Sequence, residues 1–288
     1  MSAASIVVEL ELDGQKIEIK KGGALRLNRG GLTGAESPDY DVETEEFSAM
    51  DGGQVTAEHV PSRTIGLSFT VDKIAEAEEW RRRLIAFFGC RKTGTLRIIR
   101  SGVARKIACR CGSAPVFTQE NIHTSRLGVS VTLLCVVPYF EDEKETEFEF
   151  NAVDGLMMFP LTFFPQAGTT TGMVAVSNRM TVDNKGDIPV GAVFTVTASG
   201  GSVVNPVIEM DTEYIRILTT LDEGDELLID TRKGSKRVEL NGESRFIFER
   251  GSTFFEIPTG AHALSIGAKT GSEYLRVNTV IRFAYNGI

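Results

Sequence analysis

Apolar and polar residues alternate at period two in two short arms, Val7–Leu12 and Gln15–Lys20, with Asp13-Gly14 between them. Alternation gives a strand one dry face, and Asp-Gly suits a tight turn with positive φ, so the pair predicts a β-hairpin. From Lys21 to Gly53 the pattern breaks up around glycines at 22, 23, 30, 31, 34, 52 and 53. Gly31-Leu-Thr-Gly34 and Asp51-Gly-Gly53 read as loop corners, with a strand over Tyr40–Phe47. Arg63–Val71 alternates again and predicts a strand. It runs into the one helix of the pattern, over residues 72–88, where Ile74, Ala77, Trp80 or Arg81, Leu84, Ile85 and Phe88 recur at helical spacing. Asp72 stands where an N-cap is needed and Gly89 where a helix stops. Two strands follow, Thr95–Arg100 and Ala104–Arg110, joined by Ser101-Gly-Val103.

The apolar run Leu127–Val137 is long enough for a buried strand, and Pro138 ends it because proline cannot donate to a sheet ladder. Tyr139 and Phe140 follow as an aromatic clamp. Glu141–Phe150 is then mostly acidic and too self-repelling for a core, and Phe159-Pro160 and Phe164-Pro165 close the joint. This divides the chain into a domain over 1–140, an acidic and Phe-Pro linker over 141–172, and a second domain over 173–288. The second half reads as all-β. Its predicted strands are Met173–Asn178, Val193–Ser199, Val207–Met210, Tyr214–Leu218, Glu226–Asp230, Lys236–Leu240, Phe246–Phe248, Ala263–Gly267 and Leu275–Ala284, with corners such as Asn241-Gly242. That spacing points to a β-sandwich.

A length of 288 residues with 42% hydrophobic content supplies two cores. A net charge of −8 argues against wholesale nucleic-acid wrapping or binding to anionic membranes. No apolar run approaches the ~20 residues of a membrane span, and Met1–Ile6 lacks the basic start and apolar core of a signal peptide. The expectation is a chain made and folded in a cytoplasm. Cys90, Cys109, Cys111 and Cys135 have no zinc spacing and read as reduced structural thiols. From Arg81 to Arg110 there are ten basic residues and no acidic one. The zone is either a solvated face or a docking surface for an acidic partner, such as a neighbouring copy. It lacks the interleaved aromatics of a single-strand binder.

Nothing in the sequence assembles a catalytic constellation. His59, His123 and His262 stand apart, and there is no Gly-x-Ser-x-Gly elbow or Walker loop. The glycines of Leu27–Gly34 do not open a helix as a dinucleotide site requires. Asp222-Glu-Gly-Asp-Glu226 lacks EF-hand spacing. Nothing selects a glycosidase pair from the many carboxylates. Tyr214, Phe246, Phe248, Phe254, Phe255, Tyr274, Phe283 and Tyr285 offer aromatic surface for a sugar, although most belong in a core.

The order of features resembles the distal tail protein (Dit) family of phages with long, non-contractile tails. The first half supplies the opening hairpin, Gly31-Leu-Thr-Gly34, Asp51-Gly-Gly53, the strand-then-helix unit and Ala114-Pro-Val-Phe117. It closes with Cys135-Val-Val-Pro-Tyr-Phe140, where Val136 and Val137 replace the family's Pro-Asp. In the second half, Asn184-Lys-Gly-Asp187, Glu223–Asp230, Asn241-Gly242, Phe254-Phe255, Ile257-Pro-Thr-Gly260 and Phe283–Ile288 fall at the family's places, with His262 where Asn is more usual. The resemblance implies a mainly β protein, a tail-tube-like β-barrel flanked by one helix followed by a galectin-like or carbohydrate-module-like β-sandwich. It implies a structural role and no enzyme, cofactor or metal. Copies would form a hexameric ring, single or in stacked pairs, at the distal end of the virion's tail, after assembly in the host cytoplasm. The ring would join the tail tube to the tail-associated spike or fibre protein, pass DNA through its channel, and touch no membrane. The alternative is a carbohydrate-binding module that contacts a host glycan. Arg81, Arg82 and Arg83 on one copy, with Glu141, Asp142 and Glu143 on the next, are the expected interface charges.

Overall fold

The structure, a computed structural model, describes residues 6–48, 50–72, 76–119, 126–151 and 179–288. It divides into two units, Met1–Glu143 with Ala284–Ile288, and Lys144–Phe283.

The first unit follows the alternation closely. Strands β1 (Ile6–Leu12) and β2 (Gln15–Ile19) form the expected hairpin, and Asp13 and Gly14 carry the positive φ of its turn, 46° and 76°. Val8, Leu10 and Leu12 are buried on one face while Glu9 and Glu11 face outward. Next come β3 (Leu25–Thr33), β4 (Asp41–Glu46), β5 (Gly53–His59), β6 (Arg63–Val71), helix α1 (Ala77–Phe87), β7 (Thr93–Arg100), β8 (Val103–Cys111), β9 (Val116–Gln119), β10 (Leu127–Cys135) and β11 (Phe140–Asp142). Seven of these close on themselves in the order β8-β7-β1-β2-β3-β6-β10, with β10 pairing back to β8 through Leu133↔Cys111 and Leu134↔Arg110. Closure removes the sheet edges that would otherwise invite aggregation. Leu10, Ile19, Ile65, Leu67, Phe69, Leu96, Ile98 and Leu133 fill the core, each at most 1% exposed.

Where the structure differs from the sequence reading, a longer-range partner has decided the matter. The glycine-rich stretch is strand β3 rather than loop. Its ladder with β6 shifts register between Leu27 and Leu32, and Asn28 anchors the irregular stretch, donating to Ser68 Oγ (3.0 Å) and accepting from Thr70 Oγ1 (2.7 Å). Asp72 does not cap α1. It pairs with Arg26 at 3.5 Å, and the N-cap position is held by Glu76, with no side-chain hydrogen bond capping the helix. Ile74 lies outside the described residues. The buried stripe of α1 is Leu84 and Phe87, continued by Phe88, while Ile85 is 53% exposed. At 100° per residue Leu84, Phe87 and Phe88 form one face and Ile85 points away. Phe88 rather than Gly89 is the C-cap, its N–H reaching Leu84 O. The strand expected over 127–137 stops at Cys135, and Val136 and Val137 are exposed.

All four cysteines are free. Burial pushes the Cys109 thiol up to about 12 and the Cys135 thiol up to about 11, so both stay protonated and inert.

The second unit holds two antiparallel sheets. Its strands are β12 (Thr146–Asn151), β13 (Arg179–Asn184), β14 (Ala192–Ala198), β15 (Val203–Met210), β16 (Glu213–Arg216), β17 (Thr220–Leu221), β18 (Glu226–Asp230), β19 (Arg237–Leu240), β20 (Glu243–Ser244), β21 (Gly260–Thr270) and β22 (Leu275–Ile281). One sheet runs β12-β22-β14-β18-β19-β20. The other runs β13-β21-β15-β16, with β17 on β15. Ala192, Phe194, Val196 and Ala198 are buried at alternate positions of β14, as are Leu275, Val277 and Ile281 of β22. This is a β-sandwich with one dry face per sheet. The expected strand over Phe246–Phe248 reduces to a single bridge, Ile217↔Phe248. The run expected as a linker over 141–172 is largely strand where it is described. Residues 140–142 are β11 of the first unit, and 146–151 are β12, an edge strand of the second. Residues 152–178, including the expected strand Met173–Asn178 and both Phe-Pro pairs, lie outside the described residues.

One further strand, β23 (Ala284–Tyr285), returns to the barrel unit by pairing with β11, although the sequence placed it at the end of the sandwich. Local charge and aromatic contacts draw it there. Tyr285 OH donates to Asp142 Oδ2 (2.9 Å), and the Arg105 guanidinium sits 3.5 Å from the Tyr285 ring centroid. Arg63 donates to Asn286 O (2.5 Å), Arg100 to Ile288 O (3.2 Å), and Arg105 to Gly287 O.

Candidate assembly surface

Strands β4 and β5 pair only with each other, and every residue of both is exposed. A two-stranded ribbon with no dry face gains little from its own chain. Yet this one carries large apolar side chains in water: Tyr40 (56% exposed), Val42, Phe47, Met50 and Val55. Alternation along β4 puts Asp41, Glu43 and Glu45 on one face and Val42 and Thr44 on the other. Thr44 lies opposite Val55, so the two valines share a face. The ribbon's side chains bond within it, Asp41 with His59 at 3.4 Å and Gln54 with Glu45 at 3.5 Å. Exposed apolar surface on an unsupported ribbon is the signature of an interface. Sequence reasoning found a strand at 40–47 but not the projecting ribbon, because period two is present on both faces and neither is dry.

The charges picked from the sequence are placed differently from one another. Arg81, Arg82 and Arg83 are exposed on α1, Arg81 stacked over Phe117 (5.3 Å) and Arg83 over Trp80 (4.7 Å). Glu141, Asp142 and Glu143 have company in their own unit. Glu141 lies opposite Lys106 and Asp142 opposite Arg105 in the β11–β8 ladder. Asp142 also accepts from Tyr285, and Glu143 accepts from Arg97 at 2.8 Å. Arg97 also binds Glu9 at 3.0 Å. Within the chain the basic zone's partners for this acidic run are therefore on β7 and β8, not on the helix.

The short motifs of the second half are structural clamps. Asn184 is buried; its Nδ2 donates to Ile188 O and Ile257 O (both 3.0 Å), and its Oδ1 accepts from Gly186 N (2.9 Å). Asp225 accepts from Asn241 Nδ2 (2.8 Å) while Asn241 Oδ1 accepts from Glu226 N (2.8 Å). The Asn241-Gly242 turn, with φ of 52° and 78°, is thereby locked to the start of β18. Asp222 and Asp225 of the acidic cluster are thus engaged in turn bonds, Asp222 also accepting from Ser202 Oγ (2.5 Å). Among the described residues no group of three or more His, Cys, Asp and Glu could hold a metal ion. His262 bonds Asp211 at 3.0 Å, and His123 lies outside the described residues. Of the aromatics, Phe255, Phe283 and Tyr285 are buried, whereas Phe246 is 91% exposed.

Asp230 is fully buried. Burial alone would raise its pKa, but hydrogen bonds from Arg232 Nε (2.9 Å) and Arg232 N (3.0 Å), with the Arg232 and Arg237 charges, hold it below the ordinary value of 3.8. A depressed carboxylate stabilises the fold above its unfolded pKa, and that contribution is lost as pH falls through its folded value. The melting temperature of the second unit is expected to fall on acidification below about pH 4, and Asp230→Asn to flatten that dependence in calorimetry.

Residues 185–282 match the family described as siphovirus-type tail component, C-terminal domain (SPP1 Dit). The matched residues lie in the sandwich, which follows the closed β-barrel in the chain. The second unit therefore carries a domain of that family. Among solved structures the chain is similar to the SPP1 Dit (gp 19.1) protein, described as a paradigm of hub adsorption apparatus in phages infecting Gram-positive hosts. The TM-score is 0.65 at 13% identity, covering 96% of this chain and 99% of that one. Chains of the phage p2 baseplate in its activated conformation, with Ca or Sr, align at a TM-score of 0.49 and 10% identity. No curated protein matches the chain. The two positions that depart from the family's closing motif, Val136 and Val137, are 66% and 57% exposed, so the change costs no core packing.

Proposed function

We propose that this protein is the hub at the distal end of a long, non-contractile phage tail. Six copies form a ring through their barrel units, single or in stacked pairs, around a channel for DNA. One face of the ring joins the tail tube and the other the tail-associated spike or fibre protein, and assembly takes place in the host cytoplasm. The observation that carries this reading is the closed seven-strand barrel with its fully exposed β4–β5 ribbon. A barrel with no free edge in its wall needs some other device to join copies, and the ribbon is one. The chain-long likeness in fold to a Dit protein supports the same reading.

The test is co-expression with the tube and spike proteins of the same tail. A hub binds both at once, and a ternary complex is the expected product. Two proteins that displace each other from one site would overturn the joining role. Phe246, exposed beside Phe248, favours a second reading, in which the sandwich also contacts a host glycan; a glycan array with Phe246→Ala as control decides it.

A further inference from the structure

The barrel unit is electrostatically divided. Residues 1–143 hold 18 Lys and Arg against 20 Asp and Glu, but seven of those acids fall within 39–58, which has no Lys or Arg. The remainder of the unit is therefore net positive by five. Four of its cations, Lys21, Arg26, Arg29 and Arg100, line a cleft of about 820 Å3, with Glu36 and Ile288 at its side. Arg26 is held by Asp72 at 3.5 Å and Arg100 by Ile288 O, but Lys21 and Arg29 make no ion pair among the described residues. Both are exposed. Likewise, among the described residues the β4 carboxylates pair with no Lys or Arg, and Asp41 pairs with His59.

We propose that the acidic face of the β4–β5 ribbon, Asp41, Glu43 and Glu45, seats in the Lys21, Arg26, Arg29 and Arg100 cleft of a second copy. This rests on the ring reading and gives it an interface. The ribbon and the cleft are different surfaces of one chain, so the contact is head-to-tail, the kind that repeats around a closed ring. The opposite charges steer the encounter and set the register. The ribbon's apolar face, Val42 and Val55, is then left to cover the neighbour's surface beside the cleft. Glu141–Glu143 are left out of this contact, because Glu143 is already paired with Arg97 and Asp142 already accepts from Tyr285.

The experiment measures association of the full chain by light scattering over a concentration series, at low salt and at 0.5 M salt. Glu43→Lys with Glu45→Lys reverses the ribbon, and Lys21→Glu with Arg29→Glu reverses the cleft. All four side chains are exposed, so circular dichroism should be unchanged. Each one-sided variant is expected to need at least tenfold more protein to associate, and the chain carrying all four changes to recover to near wild type. High salt should weaken the wild-type contact. Rings that form unchanged in both one-sided variants would overturn the docking proposal and leave the ring reading standing. So would rings lost only in Arg81→Glu, Arg82→Glu, Arg83→Glu, which would assign the contact to the helix. A wild-type chain that stays monomeric throughout would overturn both.

Discussion

Replacing Gly287 by valine is expected to destabilise the barrel unit on the order of 4 kcal/mol, which lowers its melting temperature by about 10 °C. A Cβ at this position would overlap the carbonyl oxygen of Glu36, a backbone atom that cannot swing aside. The segment after Phe283 must then lift away. With it go the acceptors that Asn286, Gly287 and Ile288 offer to Arg63, Arg105 and Arg100, and the bond from Ile288 N to Ala35 O (3.2 Å). Arg63 makes the loss severe, since it is 5% exposed and Asn286 O is an acceptor for a guanidinium whose Nε and second terminal nitrogen have none. A buried cation stripped of its hydrogen bond costs more than the bond itself contributed. Calorimetry should show the loss, and hydrogen exchange should place it at β8 and β11. A shift under 2 °C would mean that the C-terminal segment decorates the barrel rather than closing it.

The second large effect is expected at Asn184. Asn184→Asp keeps shape and volume but turns two donated hydrogen bonds into oxygen facing oxygen, at Ile188 O and Ile257 O. Ile188 O loses this donor, Ile257 O keeps only the bond from Val190 N (3.1 Å), and a carboxylate is buried without a cation, for roughly 4 kcal/mol against the second unit. The bond from Gly186 N survives in either case, because an acceptor oxygen remains in place. Asn184→Ala loses the bonds without adding charge and should cost less, on the order of 2–3 kcal/mol. Protonation would let the new carboxyl donate one bond, so the gap in melting temperature between Asn184→Asp and wild type should narrow below about pH 5. Equal losses for Asp and Ala, independent of pH, would show that the side-chain donors do not matter.

Both predictions concern contacts between residues far apart in the chain, and that is where the sequence was hardest to read. The period-two arms of β1 and β2, the apolar alternation of β6 and β10, and the paired β7 and β8 were legible because burial of one face writes itself locally. The destination of a strand does not. Ala284-Tyr285 looks like the end of β22, and only the arginines of the barrel and Asp142 reveal where it pairs. The acidic run misled for a different reason. Phe148 and Phe150 alternate with Glu147 and Glu149, and Phe150 is 3% exposed, so a half-buried edge strand was written there beneath the charge count. Charge on an edge strand protects it from pairing with strangers rather than forbidding it to be a strand. The helix was found, but its stripe and its cap were displaced, since Asp72 was needed by Arg26.

The candidate surface was partly legible. Arg81, Arg82 and Arg83 are exposed, and of the acids that sequence order suggested for them Glu143 has Arg97 and Asp142 has Tyr285 within its own unit. Acids with no Lys or Arg partner among the described residues stand on β4, over 41–46, where neither face is dry. Asn184, Asp225 and Asn241 are the motifs that carried the family resemblance. They are clamps on turns, which gives these short motifs a structural reason to be recognisable.

The proposed hub works as a ring. Its most direct test is negative-stain imaging of the species that elutes from size exclusion, with its mass taken by light scattering. Six copies of 31.4 kDa give about 188 kDa, and the account predicts that mass, or twice it, in six-fold particles with a central hole. A species of 31.4 kDa at every concentration and salt, with no ring in any image, would contradict it.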